Sequence, residues 1–114
     1  MVTFANYQNA PGTAPDAPGF GEAFLDAQGI DAIHIAGVAN DWYQYADMPR
    51  ELAAVRAAAS GRRLFTYGSS MGGYAALRFA GTLGAAGAIA ISPQYSLDRR
   101  VVPSERRWRP EAAR

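Results

Sequence analysis

The strongest constraint on the fold of this chain is a serine held between glycines where one hydrophobic pattern changes into another. Arg63 to Tyr67 reads as a short strand and Gly68-Ser69-Ser70-Met71-Gly72-Gly73 as a turn. Gly73 to Leu83 then reads as a small-residue helix closed by Gly84. A strand that turns at once into a helix presents its turn residue at the carboxyl end of a sheet, where open α/β sheets bind ligands. The apex residue takes an unfavourable backbone conformation, so the residues two places to either side must be nearly free of side chain. Gly68 and Gly72 meet that demand around Ser70.

The rest of the chain supplies the sheet this turn needs. Val2 to Tyr7 is a predicted strand, followed by a loop from Gln8 to Gly19 with Pro11, Pro15 and Pro18. Phe20 to Gln28 has helical spacing at Phe20, Phe24 and Leu25 and stops at Gly29. Ile30 to Gly37 is apolar on both faces, as a buried parallel strand must be. The loop from Ala39 to Ala46 carries Asn40, Asp41, Trp42, Tyr43 and Tyr45. Asp47 is placed to cap a helix with Pro49 in its first turn and Met48, Leu52, Val55 and Ala59 as its buried stripe; Ser60-Gly61 ends it. Ala85 to Ile91 is a fourth strand.

Strands alternating with crossover helices predict an open, mostly parallel α/β sheet of about four strands and three helices. Residues 1–98 form this domain. Residues 99–114 form an arginine-rich tail without periodicity, expected to be exposed and a candidate for disorder.

Composition narrows the chemistry. Hydrophobic residues make up 49% of the 114, enough for a packed core, and the formal net charge is only +1. That balance gives no bias toward nucleic acid, and the cluster Arg106, Arg107, Trp108 and Arg109 reads as part of the tail rather than as a nucleic-acid or membrane contact. The absence of Cys excludes disulfide and thiolate chemistry. His34 is the single histidine, so no His-rich metal site is expected, and no cofactor is implied. No basic leader precedes an apolar run, and nothing approaches the roughly 18 apolar residues of a membrane span, so the expected location is the cytoplasm.

A serine at such a turn is placed for nucleophilic catalysis. The N–H of Met71 and the start of the following helix point at the space beside Ser70 Oγ, where an oxyanion would form. One such donor is worth roughly 3 kcal/mol of barrier. The competing reading is a phosphate-binding loop at a helix N-terminus, which would favour Lys beside Ser or Thr. The chain has no Lys.

The segment Tyr67-Gly68-Ser69-Ser70-Met71-Gly72-Gly73-Tyr74-Ala75-Ala76 resembles the nucleophile segment of α/β-hydrolases. Ile91-Ser92-Pro93-Gln94-Tyr95-Ser96-Leu97-Asp98 and Asn40-Asp41-Trp42-Tyr43-Gln44 are similar to a branch of small bacterial serine hydrolases of esterase-like type. The resemblance covers about residues 2 to 98 and implies a carboxylic-ester hydrolase or acyl-transfer activity through Ser70 on a small-molecule acyl substrate. It also implies that Val2 to Tyr7 is the family's third strand, with the N–H of Ala5 or Asn6 as second oxyanion donor opposite Met71.

The family's acid and histidine belong to later strands, and no histidine follows Ser70 here. The resemblance thus implies a C-terminally truncated chain that is weak or inactive as it stands. The alternative it leaves is a non-catalytic remnant, or one half of a split protein, that meets a partner chain or a second copy through an open sheet edge. Asp98 stands where some members place the acid, but it has no histidine to orient. His34 lies mid-strand and reads as packed against the sheet. Trp42 and Tyr43, with Tyr45 beside them, are candidate pocket residues at the same sheet end as Ser70, or aromatic caps packed under the neighbouring loops.

Overall fold

The computed structural model describes residues 1–6, 18–37, 42–93 and 100. The strands are β1 (Val2–Phe4), β2 (Ile33–Ile35), β3 (Phe65–Ser69) and β4 (Gly87–Ile91). The helices are α1 (Glu22–Ala27), α2 (Met48–Ala58) and α3 (Met71–Leu83), each lying between consecutive strands. All pairings are parallel, in the order β2-β1-β3-β4. This is the predicted α/β architecture. Tyr7, Asn40, Asp41, Asp98 and the tail apart from Arg100 lie outside the described residues.

The order places β2 and β3 on opposite sides of β1. Connections therefore leave the sheet in opposite directions around β1, the kind of switch point at whose carboxyl side open α/β sheets bind ligands. Alternation along the strands divides the two faces. Val2 and Phe4, wholly buried, join Met48, Leu52 and Val55 of α2 and Met71, Ala75, Ala76, Phe79 and Leu83 of α3 in one core. Each large side chain so buried contributes about 1.5–3 kcal/mol. Thr66, also fully buried, donates its hydroxyl proton to the Ala76 carbonyl at 2.7 Å, which ties β3 to α3 without an unsatisfied polar group. On the opposite face Thr3 is level with His34 and Tyr67, and Phe20 packs edge-on to Tyr67 at 5.0 Å.

Strands β2 and β4 begin later than their hydrophobicity suggests, for one shared reason. After α1, Gly29 turns left-handed (φ 69°), its N–H bonds the Asp26 carbonyl, and the N–H of Ile30 bonds the Leu25 carbonyl. After α3, Gly84 (φ 65°) bonds Gly81, and the N–H of Ala85 bonds the Ala80 carbonyl. Both are six-to-one helix closures, which satisfy carbonyls the helix leaves open. Ile30 and Ala85 are therefore engaged by helix ends and cannot start strands. The stripe of α2 is as predicted, with Met48, Leu52, Val55 and Ala59 all buried. Asp47 does sit at the N-cap, but its carboxylate pairs with the exposed Arg50 instead of capping. In α1 only Leu25 of the predicted apolar positions is buried inside the helix; Phe24 is 60% exposed.

Candidate active site

The turn is tighter than the sequence implies. Strand β3 continues through Gly68 and Ser69, which pair with Ala90 and Ile91, and α3 begins at Met71. A single residue, Ser70, separates strand from helix. Its backbone angles are φ 52° and ψ −116°, a positive-φ conformation that a residue with a Cβ rarely adopts. Such a residue costs about 1–3 kcal/mol and persists only where the surroundings over-determine it. Here the Ser70 N–H bonds the Ile91 carbonyl at 2.9 Å, and the Ser70 carbonyl accepts from the Tyr74 N–H at 3.0 Å. Strand β4 therefore holds one side of the residue and the first turn of α3 the other.

The flanking glycines have a direct steric cause. A Cβ on Gly68 would lie 2.2 Å from the Gly72 carbonyl oxygen, and a Cβ on Gly72 would lie 2.2 Å from the Phe4 carbonyl oxygen. The first turn of α3 is thus pressed onto both β3 and β1. Its leading N–H groups, which have no partner within the helix, open at the carboxyl end of the sheet beside Ser70. Met71 sends its side chain into the core at 2% exposure, so only its backbone belongs to the site.

At the end of β1, the two proposed second donors separate. The N–H of Ala5 bonds the Ile35 carbonyl at 2.9 Å, continuing the ladder to β2. Ala5 is therefore engaged, which leaves the N–H of Asn6, on the exposed residue that follows, as the candidate of the pair.

Trp42 and Tyr43 are almost completely buried, at 1% and 2% exposure. Both have positive φ, 57° and 59°. Tyr43 meets Phe4 edge-to-face at 5.4 Å and donates its hydroxyl proton to the Ala5 carbonyl at 2.7 Å. It also borders a groove of about 410 Å³ between β2 and α2, with Ile33, Ile35, Tyr45, Met48 and Val55; neither Trp42 nor Ser70 lines that groove. Both side chains are packed into the fold, and Tyr43 at the same time forms part of the groove wall. The hydroxyl contact with Ala5 had no signal in the sequence beyond the presence of a tyrosine in that loop.

His34 is centred in β2, its Nδ1 paired with the Thr3 hydroxyl, and Gly19 packs against its ring. It is level with Thr3, which is level with Tyr67, three residues before Ser70. Two strand spacings and three residues of rise put its Cα about 14 Å from that of Ser70. An imidazole cannot span that gap.

Among the described residues, no helix is long and apolar enough to cross a membrane. No curated protein and no solved structure matches the chain. The profile of the Alpha/beta hydrolase family matches residues 3–114. That match runs over nearly the whole sequence, and the parallel sheet with its single-residue strand-to-helix turn is the arrangement such a fold requires. The chain belongs to the alpha/beta hydrolase family.

Proposed function

We propose that Ser70 is the nucleophile of an acyl-transferring or carboxylic-ester-hydrolysing site. The observation that carries this reading is the strained Ser70 backbone (φ 52°, ψ −116°) at the head of α3. Ser70 Oγ would bond the substrate carbonyl carbon while the π pair moves to oxygen. The resulting oxyanion is met by the N–H groups of Met71 and Asn6, the former backed by the helix dipole. Collapse of the intermediate expels the leaving group and leaves an acyl-serine for water to hydrolyse.

The serine proton needs an acceptor, because a hydroxyl is a weak nucleophile without one. His34 is the one histidine in the sequence, and it sits in the wrong part of the sheet. The base is therefore not a histidine of these residues, and the 114-residue chain alone should be a weak catalyst. Loss of a triad member costs several powers of ten in rate, with residual catalysis left by the oxyanion hole.

The test is reaction of the purified chain with a fluorophosphonate, with and without added imidazole, read by intact mass. Serine Oγ displaces fluoride from phosphorus, and the external imidazole takes the proton. One adduct per chain, faster with imidazole and absent from Ser70→Ala, is the expected result. An equal adduct on Ser70→Ala, or none on the wild type even with imidazole, would sink the reading.

A second reading rests on β4. Among the described residues this strand has a neighbour on one side alone, and Ile89 and Ile91 are each 47% exposed. An apolar edge strand is a template for pairing. In this reading two copies associate edge to edge. Sedimentation that stays monomeric at high concentration would exclude it.

A further inference from the structure

We infer that Tyr43 is a positioning residue that aims and polarises the N–H of Asn6 as an oxyanion donor. The inference rests on the proposed role of Ser70 and adds to it a residue from a different strand exit. The Ala5 carbonyl and the Asn6 N–H are the two ends of one planar peptide unit. No cis peptide bond occurs among the described residues, so these two groups point in opposite directions. Fixing the oxygen fixes the aim of the hydrogen.

Two bonds fix it. The peptide before Ala5 is held by its N–H to the Ile35 carbonyl, and the peptide after Ala5 by the Tyr43 hydroxyl, 2.7 Å from the Ala5 oxygen. The same hydroxyl lies 3.3 Å from the Ile35 oxygen, so it sits where β1 and β2 end side by side. The Ala5 oxygen also lies beneath the head of α3, 3.0 Å from where a Cβ on Gly72 would stand. The oxygen is therefore turned toward Tyr43 on the β2 side. Successive N–H groups along a strand alternate, and that of Ala5 faces β2, so the Asn6 hydrogen falls on the opposite side of β1, the side of β3 and Ser70. A hydrogen bond accepted by a peptide carbonyl polarises that peptide and strengthens its N–H as a donor.

The surroundings keep Tyr43 at this position against strain. Its ring is 2% exposed and stands edge-on to Phe4, one residue before Ala5, and its backbone holds a left-handed φ of 59° that a bulky residue rarely takes. Packing alone would be served by phenylalanine; the hydroxyl is what reaches β1.

The experiment compares the wild type, Tyr43→Phe and Val55→Ala, each labelled with nitrogen-15 and treated with a fluorophosphonate in the presence of imidazole. In the adduct the phosphoryl oxygen takes the place of the oxyanion. In the wild type the amide protons of both Met71 and Asn6 should move downfield. In Tyr43→Phe the Met71 shift should remain and the Asn6 shift should be largely lost, with phosphonylation slowed about ten-fold, less than deletion of a whole donor would cause. Val55→Ala removes a core side chain that does not touch Ala5 in the hydrogen-bond network, and it should keep both shifts. Fluorotyrosine at position 43, a stronger donor that retains the fold, should move the Asn6 proton further downfield.

Tyr43→Phe reacting at the wild-type rate with both shifts intact would overturn the inference while leaving Ser70 in place. So would a wild-type adduct in which Met71 shifts and Asn6 does not, or loss of the Asn6 shift in Val55→Ala. A wild type that forms no adduct would overturn the nucleophile itself, and the role of Tyr43 with it.

Discussion

Strands β2 and β3 leave the sheet in contrasting ways, although both exits hold bulky or polar residues at positive φ. At the end of β3 the chain reverses through Ser70 alone, between glycines whose hydrogens touch backbone oxygens. At the end of β2 the strained residues are Trp42 and Tyr43, and their side chains are among the most buried in the molecule. The first exit holds a small, half-buried side chain between glycines that let the backbone close around it. The second uses hydrophobic burial to hold two aromatic residues in an unfavourable backbone state. Backbone strain thus presents the proposed nucleophile at one exit and is held in place by packing at the other.

Substitutions at the two exits should separate these roles. Trp42→Ala should have the largest effect, a loss of about 3–5 kcal/mol in denaturant unfolding, because it empties a fully enclosed ring site. A loss under 1 kcal/mol would mean that the β2 exit is not held by burial. Gly72→Ala should cost about 2–3 kcal/mol, since a methyl group would press into the Phe4 carbonyl and the backbone must shift. Ser70→Gly should act in the opposite direction, stabilising the fold by about 1 kcal/mol while removing the phosphonylation site. Unchanged or lower stability would argue that Ser70 is not strained. The smallest change belongs to Ile91→Thr on β4, within about 0.5 kcal/mol of the wild type. Its more informative readout is sedimentation, where edge pairing predicts weaker association.

Much of this architecture was legible in the residues. The order of elements, the α2 stripe and the glycine spacing about Ser70 depend on periodicity and local sterics, and those are written in neighbouring residues. Element ends were less legible. Ile30 and Ala85 look like strand residues, yet the carbonyls of the preceding helices claim their N–H groups. The length of β3 was also hidden, because Gly68 and Ser69 have turn-like composition and become strand only by pairing with β4. Of the proposed site, Ser70 and the Met71 N–H can be read from one short segment, whereas the engagement of the Ala5 N–H, which leaves Asn6 as the candidate, needed the pairing of β1 with β2.

The residues in order determine a parallel α/β sheet with a serine at a strand-to-helix turn, because periodic hydrophobicity and the space left by two glycines are properties of adjacent positions. Only the tertiary structure decides which groups face that serine. It removes His34 by lateral distance in the sheet, engages Ala5 in a ladder, and brings Tyr43 onto the peptide of Asn6 across 38 positions of sequence. Those outcomes depend on strand order and register, which arise from the packing of the whole chain.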